Sequence, residues 1–236
     1  MCLRVSARPS RQRLADGTPC RGARRGVDSP RRPRDNALAM AEPHPPPPVK
    51  LICGLLAASD ERLTEARTML AEAFGPIDLT GEVMDFPFTD YYDAQMGSPL
   101  LRQFVAFEKL VPPESLVEAK LATNELERRL AARQAGGPPR PVNLDPGYLE
   151  SGKLILASMK NFSHRVYLSG GVYAEVTLMF RHGRWRALEW TFPDYASGRY
   201  DAFLTAARTR MRRQWKTATE CTAEPAEGAE NPGEEK

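Results

Sequence analysis

The sequence pattern that decides the fold lies at residues 165–181, which read RVYLSGGVYAEVTLMFR. From Val172 onward, apolar residues alternate with tyrosine, glutamate, threonine and methionine, as they do in a strand that buries one face. A shorter alternating run precedes the glycines. A loop of only Gly170-Gly171 would set apolar residues against polar ones, whereas a three-residue loop sets Leu168 opposite Val172. We therefore predict an antiparallel hairpin with a three-residue turn.

This register predicts specific contacts across the hairpin. The predicted cross-strand pairs are Val166 with Ala174, Tyr167 with Tyr173, and Arg165 with Glu175, the last as an ion pair. Downstream, His182-Gly183 predicts a second turn into a strand that carries Trp185, Leu188 and Trp190. The region is thus predicted to be an antiparallel meander with one apolar and one polar face.

The rest of the chain predicts strands that alternate with helices. Strands are predicted at residues 49–58, 77–86, 104–110 and 142–144, and helices at 59–74, 112–133 and 197–215. Residues 145–147 (DPG) predict a turn. Residues 153–160 fit either a helix or a strand, and we favour the helix. This order predicts an α+β fold, with helices packed on a largely antiparallel sheet and a first half that fits a ferredoxin-like module.

An arginine-rich arm precedes the first predicted strand. Residues 1–39 carry ten arginines and three aspartates, a balance of +7, so residues 40–236 carry −4 of the total of +3. The arm has no apolar periodicity and no apolar core of a secretory signal. We expect residues 1–48 to be disordered and Met40 to be the true initiator. A translated basic tail and a transit peptide are the alternatives.

The folded part is predicted to be one α+β domain over residues 49–216, followed by a disordered acidic tail over residues 217–236. Only Cys53 of the four cysteines falls in the predicted core, and no pair has the spacing of a disulfide or metal site, which favours a reducing compartment. No apolar run is long enough to span a membrane. We therefore expect a cytoplasmic protein.

Polar residues cluster around the predicted hairpin. They are Lys153, Lys160, His164, Arg165, Tyr167, Glu175 and Thr177. Together they suit a small anionic ligand, and His164 is the candidate for proton transfer if the site is catalytic. The alternative is a solvated sheet face with one ion pair of little energetic value, which is common on antiparallel sheets.

Two loops at strand ends combine aromatic and acidic residues. The first holds Asp90, Tyr91 and Tyr92, and the second holds Asp194 and Tyr195. Loops on a rigid scaffold often bind ligands, so these residues are candidates for the rim of a pocket. Equally, the tyrosine rings could only seal the core while their hydroxyl groups stay in water.

Residues 147–153, GYLESGK, have the G-x-x-x-x-G-K spacing of a phosphate-binding loop. In such a loop backbone N–H groups surround the phosphates and a following Ser or Thr holds Mg²⁺. Here Leu154 stands at the Mg²⁺ position, and Tyr148, Leu149 and Glu150 are bulky or anionic where the backbone must approach phosphate. We interpret the spacing as coincidence and expect no GTP site.

Other site classes have less support. The three histidines, His44, His164 and His182, do not form a metal-binding set, and nothing indicates a bound cofactor. Cys53 in a buried strand fits a small apolar residue better than a nucleophile. The acidic balance of residues 40–236 disfavours nucleic acid, and cations near the end of the last helix suit its dipole.

Nine short stretches follow one another along the folded part. They are VKLICGLLA, FGPIDL, DFPFTDYY, MG, KLATNELE, VNLDPGYL, KLILASMKNFSHRVYL, GVYAEVTL and WTFPDY. This series resembles the prokaryotic family known as domain of unknown function 4416, over about residues 49–215. The resemblance implies a bacterial-type cytoplasmic protein that starts near Met40. Members often carry a GTP-binding label, but the resemblance implies no established activity and supplies no catalytic residue.

Three functions remain in view. The first is a domain that binds a small anionic molecule or nucleotide at the hairpin and the two aromatic loops. The second is an enzyme at the same place, with His164 as proton carrier. The third is an interaction module without a ligand, which pairs through a sheet edge or the last helix.

Overall fold

The computed structural model describes residues 42–88, 93–133 and 137–222 of the chain. The fold lies within residues 45–236. Nearly all of the predicted arm and residues 223–236 of the predicted tail lie outside the described residues, as do Asp90, Tyr91 and Tyr92.

The strands of the described residues form one antiparallel sheet. They are β1 (Val49–Ala57), β2 (Ile77–Thr80), β3 (Met84–Asp85), β4 (Leu101–Val111), β5 (Val142–Leu149), β6 (Lys153–Ser158), β7 (Val166–Ser169), β8 (Val172–Arg181) and β9 (Arg184–Ala187). The order across the sheet is β2-β4-β1-β5-β6-β8-β7. Two short strands lie off this path, since β3 pairs with β4 and β9 pairs with β8.

Helices cover both faces of this sheet. They are α1 (Asp60–Phe74), α2 (Asp93–Met96), α3 (Leu116–Ala132), α4 (Pro193–Ala196) and α5 (Asp201–Thr222), with a 3-10 turn at Pro113–Ser115 before α3. Ser59 caps α1 by accepting a hydrogen bond from the Arg62 amide, as predicted. The predicted boundary of the tail at residue 217 lies inside α5. No helix among the described residues is long and apolar enough to cross a bilayer.

The α+β prediction is confirmed, and its ferredoxin-like part is visible in the strand order. The four strands β2-β4-β1-β5 are linked through α1 and α3 as two split β-α-β units. Both helices pack on one face, where Leu51, Leu55, Leu63, Leu70 and Leu126 belong to one core cluster. The central position of β1 explains its near-continuous apolar sequence, because every residue of β1 is buried.

The opposite face is covered by α5. Ile52, Phe104, Leu156 and Leu178 form a second core cluster there with α5 residues such as Leu204 and Ala207. The predicted inward stripe of the last helix is confirmed for Tyr200, Phe203, Leu204, Ala207 and Met211, which are all buried.

The hairpin is formed in nearly the predicted register, but its turn is different. Val166 pairs with Ala174, and Tyr167 pairs with Tyr173 at a ring distance of 5.3 Å, both as predicted. The turn itself has two residues rather than three, with Gly170 and Gly171 at φ 58° and 79°, and a bulge at Leu168 restores the register. The prediction failed because it assumed a buried β7, whereas Val166 is 68% exposed.

Two other predictions are wrong. Residues 153–158 are strand β6 rather than a helix, because Leu154 and Leu156 face α5 while Ile155 and Ala157 face α3. A strand that is buried on both faces has a continuous apolar sequence, which periodicity does not separate from a helix. Residues 145–147 continue β5 rather than turning, because they pair with β1 and Pro146 lies where β5 has no second strand beside it.

The meander ends earlier than predicted. The His182-Gly183 turn is confirmed, with Arg181 paired to Arg184, but β9 stops at Ala187. Trp185 belongs to β9, while Leu188 and Trp190 lie beyond it.

Candidate functional site

The edge of β8 has a gap between its two outer neighbours. β7 pairs with residues 172–174 of β8, and β9 pairs with residues 178–181. The segment after β9 returns to this gap. Trp190 donates its indole N–H to the carbonyl of Val176 (2.8 Å), and the Thr191 hydroxyl donates to the carbonyl of Thr177 (2.6 Å). These bonds satisfy carbonyl groups that would otherwise lack a partner strand, and they fix Trp190 in place.

A buried carboxylate lies behind this tryptophan. Glu175 is buried, and its Oε2 atom accepts from Arg165 Nε (2.7 Å) and lies 3.2 Å from His164 Nε2. The predicted Arg165–Glu175 pair is thus confirmed. His164 stacks on Trp190 with ring centroids 5.4 Å apart and planes 7° apart. Glu175 therefore orients His164, and His164 supports one face of the indole.

Beside Trp190 lies an open depression of about 370 Å³. Its lining residues are Glu150, Gly152, Lys153, Val176, Met179, Leu188 and Trp190. The lining is mostly apolar, and Trp190 is 39% exposed. The depression lies on the face of the sheet that α3 covers. On this face Ile155 and Ala157 are buried against α3, and the depression begins beyond them.

Two cations flank the floor of the depression. Lys153 is the cross-strand neighbour of Met179 on one side, and Arg186 is its neighbour on the other. Strands are about 4.8 Å apart, so the two cationic residues start about 10 Å from each other on one face. The Glu150 carboxylate accepts a hydrogen bond from Lys153 at 2.7 Å, and this bond raises the pKa of Lys153 above its ordinary value.

Of the predicted hairpin residues, Lys153 and His164 lie beside Trp190, but the set does not form one site. Lys153 lines the depression, whereas Glu175 points to the opposite face of the sheet, next to Leu156. His164 and Arg165 are joined to Glu175 and do not line the depression. Lys160 is exposed, and its carbonyl accepts from Arg165. Tyr167 is exposed on β7 and contacts Tyr173.

The second predicted loop leads to a different cluster, centred on Arg102. The Arg102 side chain is 5% exposed, and it donates to Asp145 Oδ2 (3.2 Å) and to Asp194 Oδ2 (3.3 Å). Tyr200 donates to the same Asp194 oxygen, and burial raises the pKa of Tyr200 to about 12. The Arg102 guanidinium also lies 5.8 Å from the centre of the Tyr195 ring. Asp194 and Tyr195 are thus buried partners of Arg102.

The network extends from Asp145 to α3. Asn143 donates to Asp145 at 2.6 Å and accepts from Arg140, which in turn pairs with Glu127 at 2.8 Å. Glu127 also accepts from the Leu144 amide, so α3 satisfies part of β5 where no strand does. Burial raises the pKa of Glu127. Burial also acts to raise the pKa of Asp145, but nearby Arg102, Lys120 and Arg140 outweigh it, and the net shift is downward.

Sequence reasoning missed Arg102, although a signal existed. The residue lies in the run LRQFVAF, where Gln103 is the other polar residue, and a charge in a buried strand requires buried partners of opposite charge. Two buried polar atoms of the cluster, Arg102 Nε and the Tyr195 hydroxyl, have no hydrogen-bond partner within the described structure.

The stretch with phosphate-loop spacing forms a β-hairpin. Gly147 lies inside β5, residues 150–152 form the turn, and Lys153 begins β6. A Cβ atom on Gly147 would clash with the Ile155 carbonyl oxygen, so this glycine allows close strand pairing. A phosphate loop instead runs from a strand into a helix.

No group of three or more potential ligands that could hold a metal ion occurs among residues 42–88, 93–133 and 137–222. Cys53 is buried, and burial raises the pKa of its thiol, which keeps it protonated.

The sequence model of one family, described as a domain of unknown function (DUF4416), matches residues 47–211. The chain belongs to this family. No curated protein matches the sequence. Several of the stretches that carry the DUF4416 resemblance meet at the Arg102 cluster: DFPFTDYY through Phe86, KLATNELE through Glu127, VNLDPGYL through Asp145, and WTFPDY through Asp194.

Proposed function

We propose that the protein is a cytoplasmic binding domain for a small anionic molecule that carries a planar ring. The ring stacks on Trp190, and the anionic group lies over Met179 between Lys153 and Arg186. The observation that supports this most is the fixed, partly exposed indole at the wall of a depression with a cation on either side of its floor.

Preorganisation favours ring binding at Trp190. The indole is held at its N–H by Val176 and behind its ring by His164, so little side-chain freedom is lost when a ligand arrives. Stacking of a planar group on an aromatic side chain contributes about 1–3 kcal/mol in comparable sites. The apolar neighbours Met179 and Leu188 favour an apolar ring over a hydrated group.

The charges favour an anion. Lys153 stays protonated at neutral pH, since the hydrogen bond that it donates to Glu150 raises its pKa. Its pair with Glu150 is partly exposed, and such pairs contribute only about 0–1 kcal/mol, so an anionic ligand can compete for the ammonium group. In this arrangement His164 is a positioning residue for Trp190.

Isothermal titration calorimetry of the full chain with phenyl phosphate tests the proposal. We expect measurable binding by the wild type. Trp190→Leu and Lys153→Gln should each weaken it about tenfold, which corresponds to about 1.4 kcal/mol. Phenol and inorganic phosphate should each bind more weakly than phenyl phosphate, because each lacks one of the two contacts.

Lys109→Gln is the matched control. Lys109 is an exposed lysine on β4, in the other half of the sheet, and its removal changes the net charge by the same amount. We expect unchanged affinity in this variant. Equal weakening by Lys109→Gln and Lys153→Gln, or no effect of Trp190→Leu, would contradict the proposed site.

A second candidate is self-association through β7. This strand ends the main path of the sheet, and Val166, Tyr167 and Leu168 are exposed on it. Its four residues carry no charge, so two copies could pair edge to edge without like-charge contacts. Analytical ultracentrifugation tests this: a dimer that Val166→Lys dissociates would favour it, and a monomer at high concentration would contradict it.

A further inference from the structure

Two arginines oppose each other on the open sheet face, next to the depression. Arg181 of β8 is the direct cross-strand partner of Arg184 of β9. Trp185 of β9 is buried against α5, so Arg184 and Arg186 on either side of it point to the opposite face, where Lys153 and Met179 lie. Each of these arginines is exposed.

Such an arrangement is unfavourable in the protein alone. Like charges directly opposite each other on neighbouring strands destabilise a sheet. Within the described ranges, neither Arg181 nor Arg184 has an ion pair with a carboxylate. Their repulsion would be relieved by an anionic group bound between them.

The opposed arginines continue the row of cations that flanks the depression. They lie two residues further along β8 and β9 than Met179 and Arg186, which is about 7 Å in a strand. We propose that the ligand carries at least two phosphate-type anionic groups, of which the second binds between Arg181 and Arg184. This inference rests on the proposed function, since the first group occupies the Lys153–Arg186 position.

A phosphate group fits the Arg181–Arg184 pair better than a carboxylate does. Each guanidinium presents several N–H donors in one plane, and a phosphate offers three acceptor oxygens that two guanidinium groups can share. The spacing of about 7 Å suits two phosphates that are separated along a chain or around a ring. A ligand class with these features is an aromatic or sugar-linked bisphosphate or a linear oligophosphate.

Calorimetric titration of the full chain at about 150 mM salt with inorganic phosphate, tripolyphosphate and phenyl phosphate tests this inference. That salt concentration screens long-range attraction and leaves direct contacts. We expect tripolyphosphate to bind at least about tenfold more tightly than inorganic phosphate. In Arg181→Gln/Arg184→Gln this preference should disappear, while the affinity for phenyl phosphate should stay within about twofold of the wild type.

Arg210→Gln/Arg213→Gln is the matched control, because it removes two exposed charges from α5. The control should keep the preference for tripolyphosphate. If both double variants lose it equally, or if Arg181→Gln/Arg184→Gln keeps it, the second anionic position is contradicted. Loss of phenyl phosphate binding in Trp190→Leu is a separate result, so the ring site and the second position can fail independently.

The acidic tail of the chain is the competing occupant. Residues 223–236 contain Glu224, Glu227, Glu230, Glu234 and Glu235. A variant with these five glutamates replaced by glutamine should bind tripolyphosphate with about the same affinity as the wild type. If tripolyphosphate binds only to this variant, the arginines hold the tail rather than a free ligand, and the proposal is overturned.

Discussion

Two groups of charged residues, one in each half of the sheet, are balanced in opposite ways. In the ferredoxin-like half, two buried cations have carboxylate partners: Lys50 lies 2.6 Å from Asp78, and Arg102 contacts Asp145 and Asp194. In the outer half, Arg181 and Arg184 are exposed and opposed, with no carboxylate partner in the described part of the chain. The buried cations are neutralised by carboxylates of the protein itself, whereas the opposed arginines remain available to an anionic ligand.

This difference follows from how each half is covered. Helices α1, α3 and α5 enclose the first half from both faces, so a charge there costs several kcal/mol unless it is paired. Beyond Val176, the outer strands β8 and β9 have α5 on one face, and their other face reaches water. We therefore assign stability to Lys50 and Arg102 of the first half and ligand binding to the exposed cations of the outer half.

The largest expected effect is the loss of Arg102. Arg102→Leu leaves Asp145 and Asp194 without their cation, and removal of one partner from a buried pair costs about 3–5 kcal/mol. Urea unfolding should show this loss in the free energy of unfolding. Arg133→Leu, which breaks the exposed pair with Glu65, is the control and should cost less than about 1 kcal/mol. Similar costs in the two variants would remove the distinction between buried and exposed pairs.

An intermediate effect is expected for Asp145→Asn, and it should depend on pH. The folded pKa of Asp145 lies below its ordinary value, because nearby positive charges outweigh burial. The carboxylate therefore stabilises the fold fully above about pH 4 and loses this contribution as the pH falls through the lower folded pKa. Asp145→Asn should cost about 1–2 kcal/mol at pH 7.

Urea unfolding of Asp145→Asn and of the wild type across pH 7 to pH 3 measures this dependence. The difference in the free energy of unfolding should be constant down to about pH 4 and then narrow. Glu127 acts in the opposite direction, since burial raises its pKa, and the Asp145 carboxylate adds to this shift, so Asp145→Asn also removes that part of it. A difference that widens toward acid pH would contradict the charge balance of the Arg102 cluster.

The smallest effect is expected at the open face. Arg184→Gln removes the repulsion from Arg181 and should raise the free energy of unfolding by a few tenths of a kcal/mol. Thermal unfolding at low salt, where surface charges interact most strongly, gives the best sensitivity. If Arg184→Gln destabilises the protein by more than about 1 kcal/mol, this arginine stabilises the fold. That result would contradict the claim that the exposed cations of the outer half do not contribute to stability.

Much of the fold could be predicted from local patterns. The apolar run of β1, the capped helix α1 and the alternation in β8 each reflect burial by immediate neighbours, and each is confirmed. Where burial depends on distant partners, prediction failed. The apolar sequence of β6 favours a helix because both of its faces are covered, and the alternation in β7 predicts a buried strand although β7 is exposed at the edge of the sheet.

The candidate site shows the same limit. The pairing of Arg165 with Glu175 could be derived from strand register, because the two residues lie on one hairpin. The role of Trp190 could not, since it depends on a segment returning to a gap between β7 and β9. Arg102 contacts residues 43 and 92 positions away in sequence, and spacing carries no information over such separations.

One experiment tests most directly whether Arg102 stabilises the fold while Lys153 and Arg186 bind the ligand. The affinity for phenyl phosphate and the free energy of unfolding are measured together in Arg102→Leu and in Lys153→Gln/Arg186→Gln. We expect Lys153→Gln/Arg186→Gln to lose affinity by at least tenfold with little change in stability. Arg102→Leu should lose several kcal/mol of stability, while its folded fraction binds with wild-type affinity. Binding that depends on Arg102 and is indifferent to Lys153 and Arg186 would contradict the assignment.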